Sequence, residues 1–256
     1  MPKLAANISM MFPDRPLLDR INAAAALGFR GVECQSPYAV PAAEMAARLE
    51  AARIEMVLIN VPAGEGDADR GFAALPGDPG PFLASLDRAL AYARGVRCPC
   101  IHVLAGRQVA DAAADERFVA NLRLASDRAG PGMTLLIEPL NAGDNPGYFL
   151  RTTGQAVALL DRIARPNVKL QFDFYHCQIT EGGLAEHAER LLPRYAHVQI
   201  AGVPGRHEPD NGEINYAYLL DLLDRLGYDG WVGAEYRPAG DTAAGLGWAR
   251  KWGIGA

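Results

Sequence analysis

Short apolar, β-compatible runs alternate with longer helical patterns from one end of this chain to the other. Strands are expected near 4–9, 31–35, 55–60, 100–104, 134–138, 168–173, 195–200 and 230–235. Helical patterns follow each, near 16–27, 42–52, 82–94, 112–128, 153–163, 184–192, 216–226 and 242–251. Such alternation points to a parallel sheet, because successive parallel strands need a crossover and a helix supplies it. Eight units are the number that closes a barrel, and 256 residues match the roughly 250 that such a barrel needs. The expected fold is α/β, a single (β/α)8 TIM barrel spanning 1–256. An open doubly wound sheet is the runner-up, but no GxGxxG follows the first strand.

Local punctuation agrees with this reading. Pro16 suits a first helical turn, Gly28 and Gly227 suit helix ends, and Thr152 or Thr153 suits an N-cap. Leu27-Gly28-Phe29 and Leu226-Gly227-Tyr228 echo each other: helix end, glycine, aromatic plug, then strand. Three long connections, 61–81, 139–152 and 201–215, all follow strand C-termini, where loops of that length carry lids or surface decoration.

Composition excludes several classes. Half the residues are hydrophobic and 21% are charged, which supplies a sizeable core and argues against disorder. A net charge of −5 disfavours nonspecific nucleic-acid binding. Cys34, Cys98, Cys100 and Cys177 have no framework spacing and read as reduced thiols. No signal peptide opens the chain and no apolar run reaches the ~20 residues of a membrane span, so the expected address is cytoplasmic. Oligomeric state is left open, with a homo-oligomer as one option.

Chemistry is concentrated at strand ends. Thr134-Leu135-Leu136-Ile137-Glu138, Leu170-Gln171-Phe172-Asp173, His197-Val198-Gln199 and Trp231-Val232-Gly233-Ala234-Glu235 stay β-compatible and then close on an acid or an amide. C-terminal strand ends share one face of a parallel barrel, so the four groups should meet there. Three carboxylates and an amide oxygen suit a hard divalent cation, Mg²⁺ or Mn²⁺, better than a structural zinc. A neutral Gln199 adds a ligand without charge, which leaves Glu138 and Glu235 as proton-transfer groups. His176, three residues past Asp173, is placed to hydrogen-bond a substrate oxygen, and Arg206 to clamp a carboxylate. His102 reads as a pocket-wall or buried histidine, and His187 and His197 as structural. Asn7, Glu33 and Asn60 are further pocket candidates at the ends of strands one to three.

These residues resemble the hydroxypyruvate isomerase family, within the xylose-isomerase-like barrel superfamily. The resemblance rests on a colinear series covering nearly the full chain. It begins at Ala6-Asn7-Ile8-Ser9-Met10, Gly28-Phe29-Arg30-Gly31-Val32-Glu33 and Asn60-Val61-Pro62-Ala63-Gly64. Leu136-Ile137-Glu138-Pro139-Leu140-Asn141, Asp173-Phe174-Tyr175-His176 and Glu208-Pro209-Asp210-Asn211-Gly212-Glu213 follow, and Gly230-Trp231-Val232-Gly233-Ala234-Glu235-Tyr236 closes it. The resemblance implies a metal held by Glu138, Asp173, Gln199 and Glu235, with Glu138 and Glu235 flanking the substrate as acid and base and His176 nearby. Two positions depart from the pattern: Ile59, where a histidine is expected, and Gly202, where an aspartate is expected.

The implied reaction is isomerisation of a small hydroxy-oxo acid, with hydroxypyruvate to tartronate semialdehyde favoured. A 2-oxo-tetronate isomerase or a ketose 3-epimerase on the same barrel are the near alternatives. An abasic-site endonuclease is a distant one, since it would need a histidine-rich zinc cluster and a basic face. A degenerate barrel acting only as a binding protein would be expected to have lost ligands that this chain keeps.

Overall fold

The structure is a computed structural model that describes residues 2–64 and 70–255. Eight parallel strands form a closed barrel in chain order. They are β1 (Lys3–Asn7), β2 (Gly31–Cys34), β3 (Glu55–Asn60), β4 (Cys100–His102), β5 (Thr134–Ile137), β6 (Val168–Asp173), β7 (Tyr195–Ile200) and β8 (Trp231–Ala234). Closure is made by β8 returning to β1, with Leu4 opposite Val232 and Ala6 opposite Ala234. The helices are α1 (Leu17–Ala26), α2 (Ala42–Ala52), α3 (Gly80–Val96), α4 (Ala112–Ala129), α5 (Thr153–Ile163), α6 (Phe174–Thr180), α7 (Leu184–Leu191) and α8 (Tyr216–Arg225). The expected barrel is the observed one.

Two elements differ from the sequence expectation. Helix α6 begins directly at the end of β6, with no loop between them. Asp173 is both the last strand residue and the N-cap, its Oδ1 accepting the Tyr175 N–H at 2.7 Å. That turn buries His176 beside the strand end. The last segment, Ala244–Trp252, is a 3-10 helix instead of an α-helix. Gly245 and Gly247 lie within it, and glycine weakens α-helix by about 1 kcal/mol each.

The echoed motif is a shared helix terminator. Gly28 and Gly227 both adopt positive φ, +96° and +75°. In each, the glycine N–H and the following aromatic N–H reach back: Gly28 to Ala25 and Phe29 to Ala24, Gly227 to Asp224 and Tyr228 to Leu223. This is the Schellman pattern, and it aims Phe29 and Tyr228 at the sheet.

Side chains alternate across each strand, so one set faces the helices and the other the barrel axis. Between sheet and helices runs the main core, from Leu4, Ile21 and Phe29 to Phe172, Leu220 and Val232. Among the described residues a second, small apolar group, Ala5, Val57, Leu58 and Leu136, packs separately from it. From there towards the C-terminal strand ends the interior turns polar, and this polarity positions the site. Among the described residues no helix is long and apolar enough to cross a membrane.

Candidate active site

Glu138 follows β5 directly and Asp173 closes β6, both buried. Ligand atoms of Glu138, Asp173 and His176 lie within 4.8 Å of one another. Two of their oxygens, Glu138 Oε1 and Asp173 Oδ2, are buried with no hydrogen-bond partner. Such orphaned acceptors are costly unless something positive completes them. Burial first, then the neighbouring charges of Glu235 and Asp173, push the Glu138 carboxyl well above its usual range. Burial also raises Asp173, and Arg206 only partly offsets it. Hard oxygen donors, left without a hydrogen bond and repelling one another's charge, fit a divalent cation.

His176 is less suited to be a ligand than its position suggests. Its Nδ1 accepts the Asn141 backbone N–H at 3.2 Å, and the Asn141 amide lies 2.7 Å away. A backbone N–H only donates, so Nδ1 is unprotonated. Burial, then Arg206, His102 and Arg70, keep the ring neutral by lowering its pKa well below the usual value. The proton of that neutral ring therefore sits on Nε2, 3.7 Å from Asp173 Oδ2. His176 offers an N–H to the cleft.

Glu235 follows β8 and is gripped from three sides. Gln35 Nε2 donates to Oε1 at 2.7 Å, Asn7 Nδ2 donates to the same oxygen at 3.0 Å, and Arg206 NH2 donates to Oε2 at 2.5 Å. Arg206 also lies 3.6 Å from Asp173 Oδ2 and stacks 4.7 Å above the Tyr175 ring. Burial works against the Arg206 cation, but Glu235, Asp173 and Glu138 outweigh it and raise its pKa. Tyr175 in turn donates to Asp144 at 2.7 Å, which fixes the stacked ring.

A cleft of about 580 Å³ opens over these groups, and Asn60, His102, Glu138, His176, Arg206 and Glu235 all line it. His102 stands at the end of β4 with Nδ1 3.4 Å from Glu138 Oε2. Burial, and secondarily His197, push it down to about 3, so it is neutral, and its Nε2 has no partner.

Two expected site residues, Asn7 and Gln199, make their hydrogen bonds to buried neighbours. Asn7 does not line the cleft; its amide bridges Glu33 Oε2 and Glu235 Oε1, both at 3.0 Å. Gln199 is inside the barrel, its Oε1 accepting from Gln171 at 2.6 Å and its Nε2 donating to Glu33 Oε2 at 2.9 Å. In this structure the Gln199 oxygen is thus engaged by Gln171. Glu33 Oε1 meets His197 Nε2 across the barrel. Gly233 makes this crossing possible, since a Cβ there would lie 1.7 Å from Glu33 Oε1.

Of the two departures, Gly202 has a steric reason. A Cβ would meet the Glu208 and Asn211 carbonyls at 2.6 and 2.8 Å, so an aspartate does not fit this loop. Ile59 is fully buried, between inward positions 58 and 60, and faces the helices. Sequence reasoning missed Gln35, Asn141 and Arg70. Gln35 was within reach, because it lies two residues past Glu33 on the same face.

A family model described as xylose isomerase-like TIM barrel matches residues 21–252. The 2-oxo-tetronate isomerase of Cupriavidus necator is 48% identical, over 98% of this chain and 99% of that one. The hydroxypyruvate isomerase of Escherichia coli K12 is 39% identical, over 97% and 98%. A crystal structure titled AP endonuclease, family 2, from Brucella melitensis superposes with a TM-score of 0.95 at 43% identity, over 98% and 99%.

Proposed function

The chain belongs to the xylose isomerase-like TIM barrel family and is an isomerase; from that premise we propose that it moves the oxo group of a small hydroxy-oxo acid to the neighbouring carbon, assisted by a divalent metal ion. A 2-oxo-tetronate is the first substrate to test and hydroxypyruvate the second, an order that follows the more similar relative's name. The observation that carries this reading is the pair of orphaned buried carboxylate oxygens, on Glu138 and Asp173, beside a cleft that Glu138, His176 and Glu235 line.

Glu138, Asp173 and Glu235 would hold Mg²⁺ or Mn²⁺, with Gln199 as a fourth oxygen on release of its bond to Gln171. When bound, such an ion lowers the cost of negative charge developing on the substrate's oxygens. The protein's own part is to move a proton. Glu138 and Glu235 come from β5 and β8, so a substrate in the cleft lies between two carboxylates. One takes the carbon-bound proton and the pair returns it to the adjacent carbon. The raised affinity of Glu138 for a proton suits that task. His176 Nε2–H donates to a substrate oxygen, and Asn141 keeps the proton on that nitrogen. Arg206, held flat by Tyr175, keeps the Glu235 carboxylate aimed at the cleft.

NMR of 2-oxo-tetronates, hydroxypyruvate and a neutral ketose in D₂O, with Mg²⁺ or Mn²⁺, tests the reading. Conversion of an acid with solvent deuterium entering the product supports it. Complete retention of a substrate deuterium label would instead mean a direct hydride shift and would remove the two glutamates from the acid–base role. Turnover undiminished after exhaustive chelation would remove the metal.

The AP endonuclease title is the one observation favouring abasic-site cleavage. Against it, the cleft wall offers two neutral histidines, His102 and His176, where a zinc cluster would need several more ligands. Zinc-dependent nicking of abasic duplex DNA by the purified protein would reverse that preference.

A further inference from the structure

The cleft carries positive charge that the proton transfer does not use. Three arginines line it, Arg70, Arg206 and Arg237. Arg206 is committed: NH2 donates to Glu235 Oε2 and borders Asp173, and Nε donates to the Glu235 carbonyl at 3.3 Å. A substrate carboxylate placed there would meet two protein carboxylates already in contact with the guanidinium.

Arg70 is different. Among the described residues its guanidinium has no hydrogen-bond or ion-pair partner, and the chain just after it is held by backbone hydrogen bonds. The Gly71 N–H donates to Ala63 O at 2.9 Å, and Gly71 bridges Ala105 in antiparallel fashion. The Ala74 N–H donates to Ala105 O at 2.7 Å. Gly71 has φ +89°, and a Cβ would lie 2.2 Å from Leu104 O, so only glycine lets the chain press this close. The chain at Gly71–Ala74 is thereby pinned to Leu104 and Ala105, just after β4. Asn60 and His102, from the ends of those two strands, line the cleft with Arg70.

We infer that Arg70 binds the carboxylate of the substrate, and that the cleft so selects an anionic hydroxy-oxo acid over the neutral sugar of the same carbon skeleton. A guanidinium presents paired N–H donors that match a carboxylate's two oxygens, and a pinned backbone reduces the ordering cost of using them. With the anionic end held on the β3–β4 side, the oxo and hydroxyl carbons are left to Glu138, Glu235 and His176. The inference rests on the isomerase reading for the reaction, but not for the binding.

The test has two arms. In the first, wild type, Arg70→Ala, Arg70→Lys and Arg237→Ala are titrated calorimetrically with D-erythronate, an unreactive four-carbon hydroxy acid, with Mg²⁺ present. Affinity should fall about tenfold or more in Arg70→Ala, recover partway in Arg70→Lys and hold in Arg237→Ala. Equal affinity in wild type and Arg70→Ala, including none detectable in either, overturns the assignment. So does a loss confined to Arg237→Ala. In the second arm, Arg70→Ala should raise KM for 2-oxo-tetronate with kcat within about threefold, and leave KM for the neutral erythrulose in place. An equal rise for erythrulose overturns it, because that would mean general damage to the cleft. Arg70-dependent erythronate binding with no turnover of any acid by wild type would sink the isomerase reading and leave the carboxylate site standing.

Discussion

Two buried polar clusters lie on the same face of neighbouring strands, and they differ in whether their atoms have partners. Deeper in the barrel, Glu33 takes Asn7 and Gln199 on one oxygen and His197 on the other, while Gln199 also accepts from Gln171. At the mouth, Glu138 Oε1, Asp173 Oδ2 and His102 Nε2 are equally buried and have no hydrogen-bond partner, though Arg206 comes within 3.6 Å of Asp173 Oδ2. A network this nearly satisfied, with Gln171 Oε1 its one orphaned atom, holds a fold in register. An unsatisfied one lowers stability, and a protein retains it where something else, a metal or a substrate, completes it. The contrast separates a structural cluster from a functional one more sharply than burial or residue type does.

The largest effect that could break this contrast is on turnover. Glu138→Gln should lower kcat by about 10²–10⁴-fold, the usual contribution of a proton-transfer group, with the unfolding midpoint unchanged or higher. A large loss of stability alongside the loss of rate would place Glu138 with the structural set instead.

Nearly as large, but on stability, is the effect expected deeper down. Glu33→Ala or His197→Leu, each leaving its partner buried alone, should cost about 3–5 kcal/mol in denaturant unfolding. A cost below about 1 kcal/mol would mean that the two clusters are not different in kind.

Gly233→Ala probes the crossing itself. Its methyl would displace the Glu33 carboxylate from His197, at a cost of about 1–3 kcal/mol. Added to Glu33→Ala, the same change should cost far less, and an additive double mutant would argue against any clash.

The smallest effect concerns pH. In metal-free protein, burial and neighbouring carboxylates raise the Glu138 pKa. A carboxyl raised in this way contributes its stability below its unfolded value of about 4.3, and that contribution is lost as pH climbs towards the folded value. Glu138→Gln has no charge to bury. In chelator at pH 7–8 it should be more stable than wild type, and the gain should vanish below about pH 4. A gain that persists at pH 4 would point to packing, not charge.

Much of the fold was legible because periodicity is local. Each strand is a short apolar run, each helix has its own cap, and Thr152 indeed caps α5 through the Gln155 N–H. The barrel's eightfold count needed only those units in order. Strand-end acids were legible for the same reason, since an apolar run that stops on a carboxylate marks its own end. Helix α6 was hidden because Asp173 serves as strand end and N-cap at once. Arg70 was hidden because nothing in its neighbours' identities says that Gly71 is pinned against Leu104.

The amino-acid sequence by itself determined the eight βα units, and through them which side chains stand at the C-terminal ends of the strands. Only the closed barrel decided which of those side chains find each other. Glu33 and His197 are 164 positions apart in the chain, and Asn7 and Glu235 are 228 apart. Residue type gives Gln199 an oxygen to offer, but its neighbours across the barrel, Gln171 and Glu33, determine where that oxygen goes. Strand position is a short-range property of the chain. Partnership of buried polar groups is a property of three-dimensional closure, because each donor and acceptor is satisfied by whatever the far wall of the barrel presents.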